Sequence, residues 1–448
     1  MAVKDIPILG KILGTLDDEG IDYGQMAFIF GVVFFFIALG VVGLTKISVF
    51  SMLLYTMPIW LPYVTFWIFY EKWMFMIGLK FAESNGRSIV EMILPPEVNK
   101  SPEAMEFFFT QIHNAPSPDN LWQAYIDGKK PLPYTFEIVS RGGDIHFYIT
   151  VPEKFIPSIK SNLYAQYPGI ELKDVSLDYT AEVPSDLKGW EFMSFHLQKK
   201  EADVIPILTY KDLKMDMLPK EEEKLDPITP MLEAMATVKP GHQVWVQFIC
   251  IAHKKQSFKS GSLKTVPEWT KAASAKIDEI MQRDKKTKTG PGEFESMPRL
   301  TTGERDLVEA IERNSSKYAF ETAIRYCYMS DKEGDFDGGI IPRMNRTFAQ
   351  TEAKGRNGLG IRWRTDFNYK WFSDPFSKKI PYLKKAELGE YKKRKLNPKS
   401  DAMTFKVFSV EEMATLFHPP GLVALTPTLN RVESTKQQAP SNLPTGLN

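Results

Sequence analysis

Tyr134–Ser140 (YTFEIVS) and Ile145–Val151 (IHFYITV), separated by Arg141-Gly142-Gly143-Asp144, decide how the body of this chain is read. Two runs rich in β-branched and aromatic residues around a Gly-Gly turn predict a β-hairpin, because glycine reaches the positive φ that such turns demand. Upstream, Ser88–Leu94 (SIVEMIL) predicts a short strand, stopped by Pro95-Pro96. Ser101-Pro102-Glu103 starts a helix, with a Ser N-cap, Pro at the first position and an early acid. It runs to His113 and buries Met105, Phe108, Phe109 and Ile112 at helical spacing. A loop with Pro116, Pro118, Pro131 and Pro133 leads into the hairpin. Beyond it, a helix over Glu153–Gln166 places Ile156, Ile159 and Leu163 on one face, and Tyr167-Pro168-Gly169 turns the chain into a strand, Ile170–Tyr179. Trp190–Leu197 (WEFMSFHL) is a further strand. The fold class expected is α+β, a ferredoxin-like sheet with its helices on one face, over residues 85–200.

A second α+β unit of the same kind is expected over residues 226–370. Its order is a helix (Pro227–Thr237), a strand (Gln243–Ala252), a helix (Pro267–Arg283), a charged loop (Asp284–Glu295), a helix (Thr302–Asn314) and a long strand (Lys317–Met329). Another helix and the strand Gly360–Asn368 complete it. The order echoes the first unit, but no sequence repeat links the two. A basic linker, 371–408, and a short helix with an extended Pro-rich tail, 409–448, follow.

The N-terminal segment 1–25 precedes an apolar block. Met26–Leu44 carries no charge over about the 20 residues that a bilayer core requires, and the uncharged run Val49–Tyr70 follows after Thr45-Lys46-Ile47-Ser48. Residues 26–84 are therefore expected to form a transmembrane helical hairpin in contact with membrane lipid. Pro58 and Pro62 interrupt the second run, and Trp60, Trp67 and Trp73 with Tyr63 and Tyr70 read as an aromatic belt. Lys4 and Lys11 on one flank, and Lys72, Lys80 and Arg87 on the other, place both flanks and the body in the cytoplasm. The expected location is the cytoplasmic membrane, multi-pass. Ala27-x-x-x-Gly31 is a close-approach pattern for a homo-oligomer, although frequent in any apolar run.

Composition excludes little else. With 56 Lys+Arg against 55 Asp+Glu, net charge does not select a partner. Cys250 and Cys327 are the two cysteines, too few for a disulfide framework or a zinc cluster. The chain contains no Gly-Lys-Ser/Thr, and Gly355–Gly360 (GRNGLG) lacks a phosphate-reaching Lys and reads as a turn. His113, His146, His196, His242, His253 and His418 form no metal-type spacing; His146 and His196 read as ordinary sheet residues. No Gly-x-Ser-x-Gly elbow appears. The expectation is a non-enzyme without cofactor, catalytic set or metal.

One stretch stands out as a partner surface. Between 378 and 399, Lys384, Lys385, Lys392, Lys393, Arg394 and Lys395 join Lys378, Lys379 and Lys399, opposed only by Glu387 and Glu390. The plain reading is a solvated linker. The sharper one is contact with nucleic acid or anionic lipid, with Trp371, Phe372, Phe376, Tyr382 and Tyr391 available to stack on bases.

Several segments resemble the module that precedes the motor of type IV secretion, conjugation-type ATPases of reduced-genome bacteria. They are Glu91-Met92-Ile93-Leu94-Pro95, Lys100–Glu106 (KSPEAME), Phe136–Ser140, His146–Ile149 and Tyr164–Pro168. Toward the C-terminus, Glu411–Pro419 (EEMATLFHP), Thr426–Leu429 and Ala439–Pro444 are similar to the linker that enters that motor. In that family a P-loop domain would begin near Leu443, whereas this sequence ends at Asn448, so ATP hydrolysis is not carried over. The resemblance implies a membrane-anchored platform that docks a P-loop ATPase acting in trans, the motor being a separate chain or lost. The alternative is a membrane-tethered nucleic-acid-binding protein using 378–399.

Overall fold

The computed structural model describes residues 49–95, 100–215, 217, 226–263, 266, 268–281, 300–332, 334–366, 376–396 and 404–421. The chain divides into two compact units, one of residues 1–84, 117–130 and 255–266, the other of residues 85–116, 131–254 and 267–448.

In the first unit, helix α1 (Val49–Ser84) runs for 36 residues through Pro58 and Pro62. Two short segments pack on it. Tyr70 donates its hydroxyl proton to Gly261 O (2.7 Å), and Trp73 Nε1 donates to Tyr125 O (2.6 Å). Tyr125 closes the one-turn helix Leu121–Tyr125, whose Asn120 side chain caps Gln123 N, and its hydroxyl donates to Phe258 O.

The transmembrane expectation is corrected here. No helix among the described residues is long and apolar enough to cross a membrane. From Thr56 onward, Pro58, Pro62, Tyr63, Thr65 and Tyr70 dilute the apolar run, and Glu71 and Lys72 close it. The expected helical hairpin and multi-pass membrane location are corrected with it. Met26–Leu44, with Ala27 and Gly31, lies outside the described residues.

The second unit replaces two separate α+β units with one continuous sheet. Its strands are β1 (Ser88–Ile93), β2 (Tyr134–Arg141), β3 (Asp144–Val151), β4 (Glu171–Val175), β5 (Glu191–Lys199), β6 (His242–Ala252), β7 (Ala319–Ser330), β8 (Leu359–Arg364) and β9 (Lys406–Ser409). The order is β4-β1-β3-β2-β6-β7-β5-β8, with β9 also on β7, and every pairing is antiparallel. Helices α2 (Glu103–Ile112) and α3 (Ile156–Gln166) complete a β-α-β-β-α-β set with the first four strands. A second such set runs through β5, α4 (Thr229–Ala236), β6, the helix pair α5 (Trp269–Ile280) and α6 (Thr302–Ser315), β7, α7 (Ile340–Ala349) and β8. Each set orders its strands fourth-first-third-second. The two meet where β2 pairs with β6 from Tyr134↔Cys250 to Arg141↔Gln243, so neither strand is left as an open edge.

Alternation along the strands builds two cores. One face carries Val90, Phe136, Ile138, Phe147, Ile149, Val246, Phe248, Ile324 and Tyr326 under helices α2, α3, α4, α7 and α9 (Val410–Leu416). Every residue of α9 is buried, and a Ser409/Glu412 capping box starts it. The other face carries a smaller core of Val139, Tyr148, Tyr179, Phe192, Trp245, Cys327 and Met329, closed by Leu388 and Tyr391 of α8 (Lys379–Lys392).

Candidate functional site

The smaller core contains a row of polar and aromatic side chains that crosses eight strands. The pairings Lys173↔Glu91, Glu91↔Tyr148, Tyr148↔Glu137, Glu137↔Gln247, Gln247↔Arg325, Arg325↔His196 and His196↔Trp363 are successive cross-strand neighbours. Side chains at such positions share one face and stand about 5 Å apart. Each polar member except Lys173 sits between apolar residues of its own strand, as in Phe136-Glu137-Ile138 and Ile324-Arg325-Tyr326.

Helix α8 answers this row with matching groups. Glu387 Oε2 lies 2.8 Å from His196 Nε2. Arg325 Nε donates to Gln247 Oε1 (2.8 Å) and its Nη2 to Glu390 O (3.1 Å), while the guanidinium lies 5.0 Å above the Tyr391 ring. Just past the helix, Arg394 grips Glu137 with two hydrogen bonds (2.9 and 3.2 Å) and Asp178 with two more (2.6 and 3.2 Å). Glu137 also accepts from Tyr179 Oη and Gln247 Nε2. Such bidentate pairs are strong and geometrically exacting. Burial lowers the affinity of the Arg394 guanidinium for its proton, but the Glu137 and Asp178 carboxylates outweigh this and hold its pKa above the ordinary value. Burial pushes the His196 imidazole below its usual pKa, and Glu387 offsets this only in part. The Tyr179 and Tyr391 hydroxyls are pushed well up by burial and the nearby Glu137 charge, and the Cys327 thiol is pushed by burial up to about 12.

The backbone at Arg394 is unusual. Its N–H donates to Tyr391 O and that of Lys395 to Glu390 O, the pair of bonds of a Schellman motif. The left-handed residue of that motif is usually glycine. Here Arg394 adopts φ 50°, a conformation costing about 1–2 kcal/mol for a residue with a Cβ. Its side-chain bonds supply the compensation.

The basic stretch is therefore largely turned inward. Lys384 donates to Glu191 Oε1 (2.7 Å), and Lys392 to Val183 O and Ser185 Oγ. Arg394 is buried, Lys395 is half-buried, and Lys385 and Lys393 are exposed. Among the aromatic residues, Tyr391 lies in the core, Phe376 and Tyr382 are exposed, and Trp371 and Phe372 lie outside the described residues, as does Lys399.

A second buried network fastens the opposite face. Lys317 Nζ bridges Glu106 (2.6 Å) and Glu411 (2.7 Å), and Lys199 pairs with Glu412 at 2.7 Å with both side chains fully buried. Arg313 binds Asp212 (2.8 Å) and Glu411 (3.1 Å). The Gly355–Gly360 loop is an anchor: the buried Asn357 side chain accepts from Glu201 N and donates to Ala202 O and Ile205 O.

Sequence reading missed Glu137, Asp178, His196, Gln247, Arg325 and Glu387. The signal that marks four of them is a polar residue flanked on both sides by large apolar ones within a strand: Glu137, His196, Gln247 and Arg325. Comparison with known protein-family models and with curated proteins finds no match.

Proposed function

We propose that this chain is a non-enzymatic platform that docks a separate P-loop ATPase of a type IV secretion or conjugation-like translocation apparatus. One observation carries the reading. The segments resembling that family are far apart in sequence, yet Lys100–Glu106 leads into α2 and Glu411–Pro419 forms α9 and its exit, and these two helices pack together in the main core. Lys317 ties them through Glu106 and Glu411. A linker that enters a motor would thus be held rigidly against the sheet rather than trailing from it. The inward-turned basic stretch adds to this rigidity by clamping α8 onto the polar row.

The nucleic-acid reading draws less support, because of its six named cations Lys384, Lys392 and Arg394 already bind protein acceptors. Cross-linking in the source cells, followed by capture of this chain and mass spectrometry, tests the proposal. A P-loop ATPase is expected among the cross-linked partners, and its absence overturns the reading.

A further inference from the structure

On the face that carries the polar row, a cleft of about 450 Å³ opens where the β2–β3 turn, the start of β6, the end of β7 and the loop ahead of β5 converge. Its size is that of a small-ligand or side-chain site. Backbone shapes part of it: Gly241 has φ 82°, and a Cβ there would stand 2.7 Å from the Asp331 carboxylate. Around it stand Arg141, Glu182, Trp190, Gln243 and Asp331.

These side chains are held in place before any ligand arrives. Arg141 Nη1 donates to Glu182 Oε1 (2.6 Å), and Gln243 Oε1 accepts from the buried Trp245 indole (2.9 Å), which fixes the orientation of the Gln243 amide. Trp190 packs against the smaller core, and its N–H donates to Leu187 O, with Leu187 held at φ 54°. Asp331 differs from the rest: its N–H bonds to Gly241 O, but among the described residues its carboxylate has no hydrogen-bond or ion-pair partner. The cleft therefore sets one guanidinium, and the buried His242 imidazole that contacts Tyr328 Oη, against two carboxylates, and leaves the Asp331 carboxylate unpaired among the described residues beside an indole.

We infer that this cleft receives a guanidinium side chain, an arginine presented on the surface of a protein partner. The Asp331 carboxylate supplies a charge-assisted acceptor, and Trp190 supplies a face for cation–π stacking. The Arg141–Glu182 pair shows the same recognition made within the chain. A planar fork suits this setting better than the point charge of a lysine. The inference goes beyond the platform reading and does not depend on the partner being an ATPase.

Isothermal titration calorimetry on the full chain tests it with N-acetyl-L-argininamide, which mimics a residue within a protein. Saturable binding is expected, with the isosteric but uncharged N-acetyl-L-citrullinamide weaker by about tenfold. Asp331→Asn removes the charge at an exposed position and should weaken the arginine mimic by about tenfold. Trp190→Ala should weaken it by about fivefold. Circular dichroism verifies that each variant is folded, and Asp331→Asn carries the decision if Trp190→Ala is not. Equal binding of the citrulline analogue, or an unchanged Asp331→Asn, overturns the proposal. So does tighter binding of free arginine than of the blocked mimic, since that marks a small-molecule site. The measurement contains no ATPase, so its failure is separate from a failed cross-linking experiment.

Discussion

Replacing Arg394 separates two terms that the native side chain combines. Arg394→Ala removes the cation that balances Glu137, a side chain with no solvent exposure, and leaves the left-handed backbone in place. Breaking one partner of a buried ion pair costs about 3–5 kcal/mol. Arg394→Gly loses the same pair but relieves the backbone, so it should be about 1 kcal/mol more stable than the alanine variant. Adding Glu137→Gln to Arg394→Gly removes the stranded charge and should recover more than half of the loss, because Gln can still bond Tyr179 and Gln247. Urea denaturation followed by circular dichroism measures this. With a slope of about 3 kcal/mol per molar for a chain of this size, Arg394→Ala should lower the midpoint by about 1 M, and glycine should restore about a third of that. If alanine and glycine are equal, the strain at φ 50° is not stored in that residue. If Glu137→Gln fails to rescue, the ion pair is not what holds α8 to the sheet.

Three further outcomes follow from the same physics. Burial in the fold disfavours the protonated His196 imidazole, whereas the unfolded chain protonates it near the ordinary value of about 6.5, so unfolding takes up protons below that pH; stability should be full above about pH 6.5 and fall as pH drops below it, and His196→Gln should flatten that slope in thermal melts at stepped pH. Lys199→Met strands Glu412 and should cost about 3–5 kcal/mol; Glu412→Leu also removes the acceptor of Ser409 N and Ile207 N, so in a double-mutant cycle in urea the pair of changes should lose less than the sum of the two singles, and additive losses would sink the pairing. Gly143→Ala should destabilise by well over 1 kcal/mol, because φ is 93° and the new Cβ would meet Ala236 O at 2.8 Å, whereas Gly142→Ala, with its nearest neighbour at 3.3 Å, should cost less; equal melting temperatures would contradict this.

Local patterns made much of the secondary structure legible. The Gly-Gly turn gave the β2–β3 hairpin, and helical spacing gave α2 and α6. Whatever depends on two distant segments was not legible. Nothing local in β2 or β6 states that they pair with each other, and that pairing turns two expected units into one sheet. The basic stretch misled for a related reason. Its lysines dominate the composition, yet Glu387 and Glu390, which looked like minor opposition, are among the residues buried against the sheet. The transmembrane reading met a different limit: from Thr56 onward the run is interrupted by Pro, Tyr and Thr and closed by Glu71 and Lys72, and no helix among the described residues is long and apolar enough to cross a membrane.

The burial of α9 has a consequence for the order of events during synthesis. Residues 406–417 complete an edge of β7 and fill the centre of the main core, where Met413 and Phe417 touch no solvent. The side chains that await them, Lys199, Lys317 and Phe136, are made much earlier. A nascent chain can pair its first strands on the ribosome, but it carries an open wound in its core until nearly all of the described sequence has emerged. Truncation anywhere before residue 417 should therefore yield chaperone-bound or degraded product rather than a shorter stable protein.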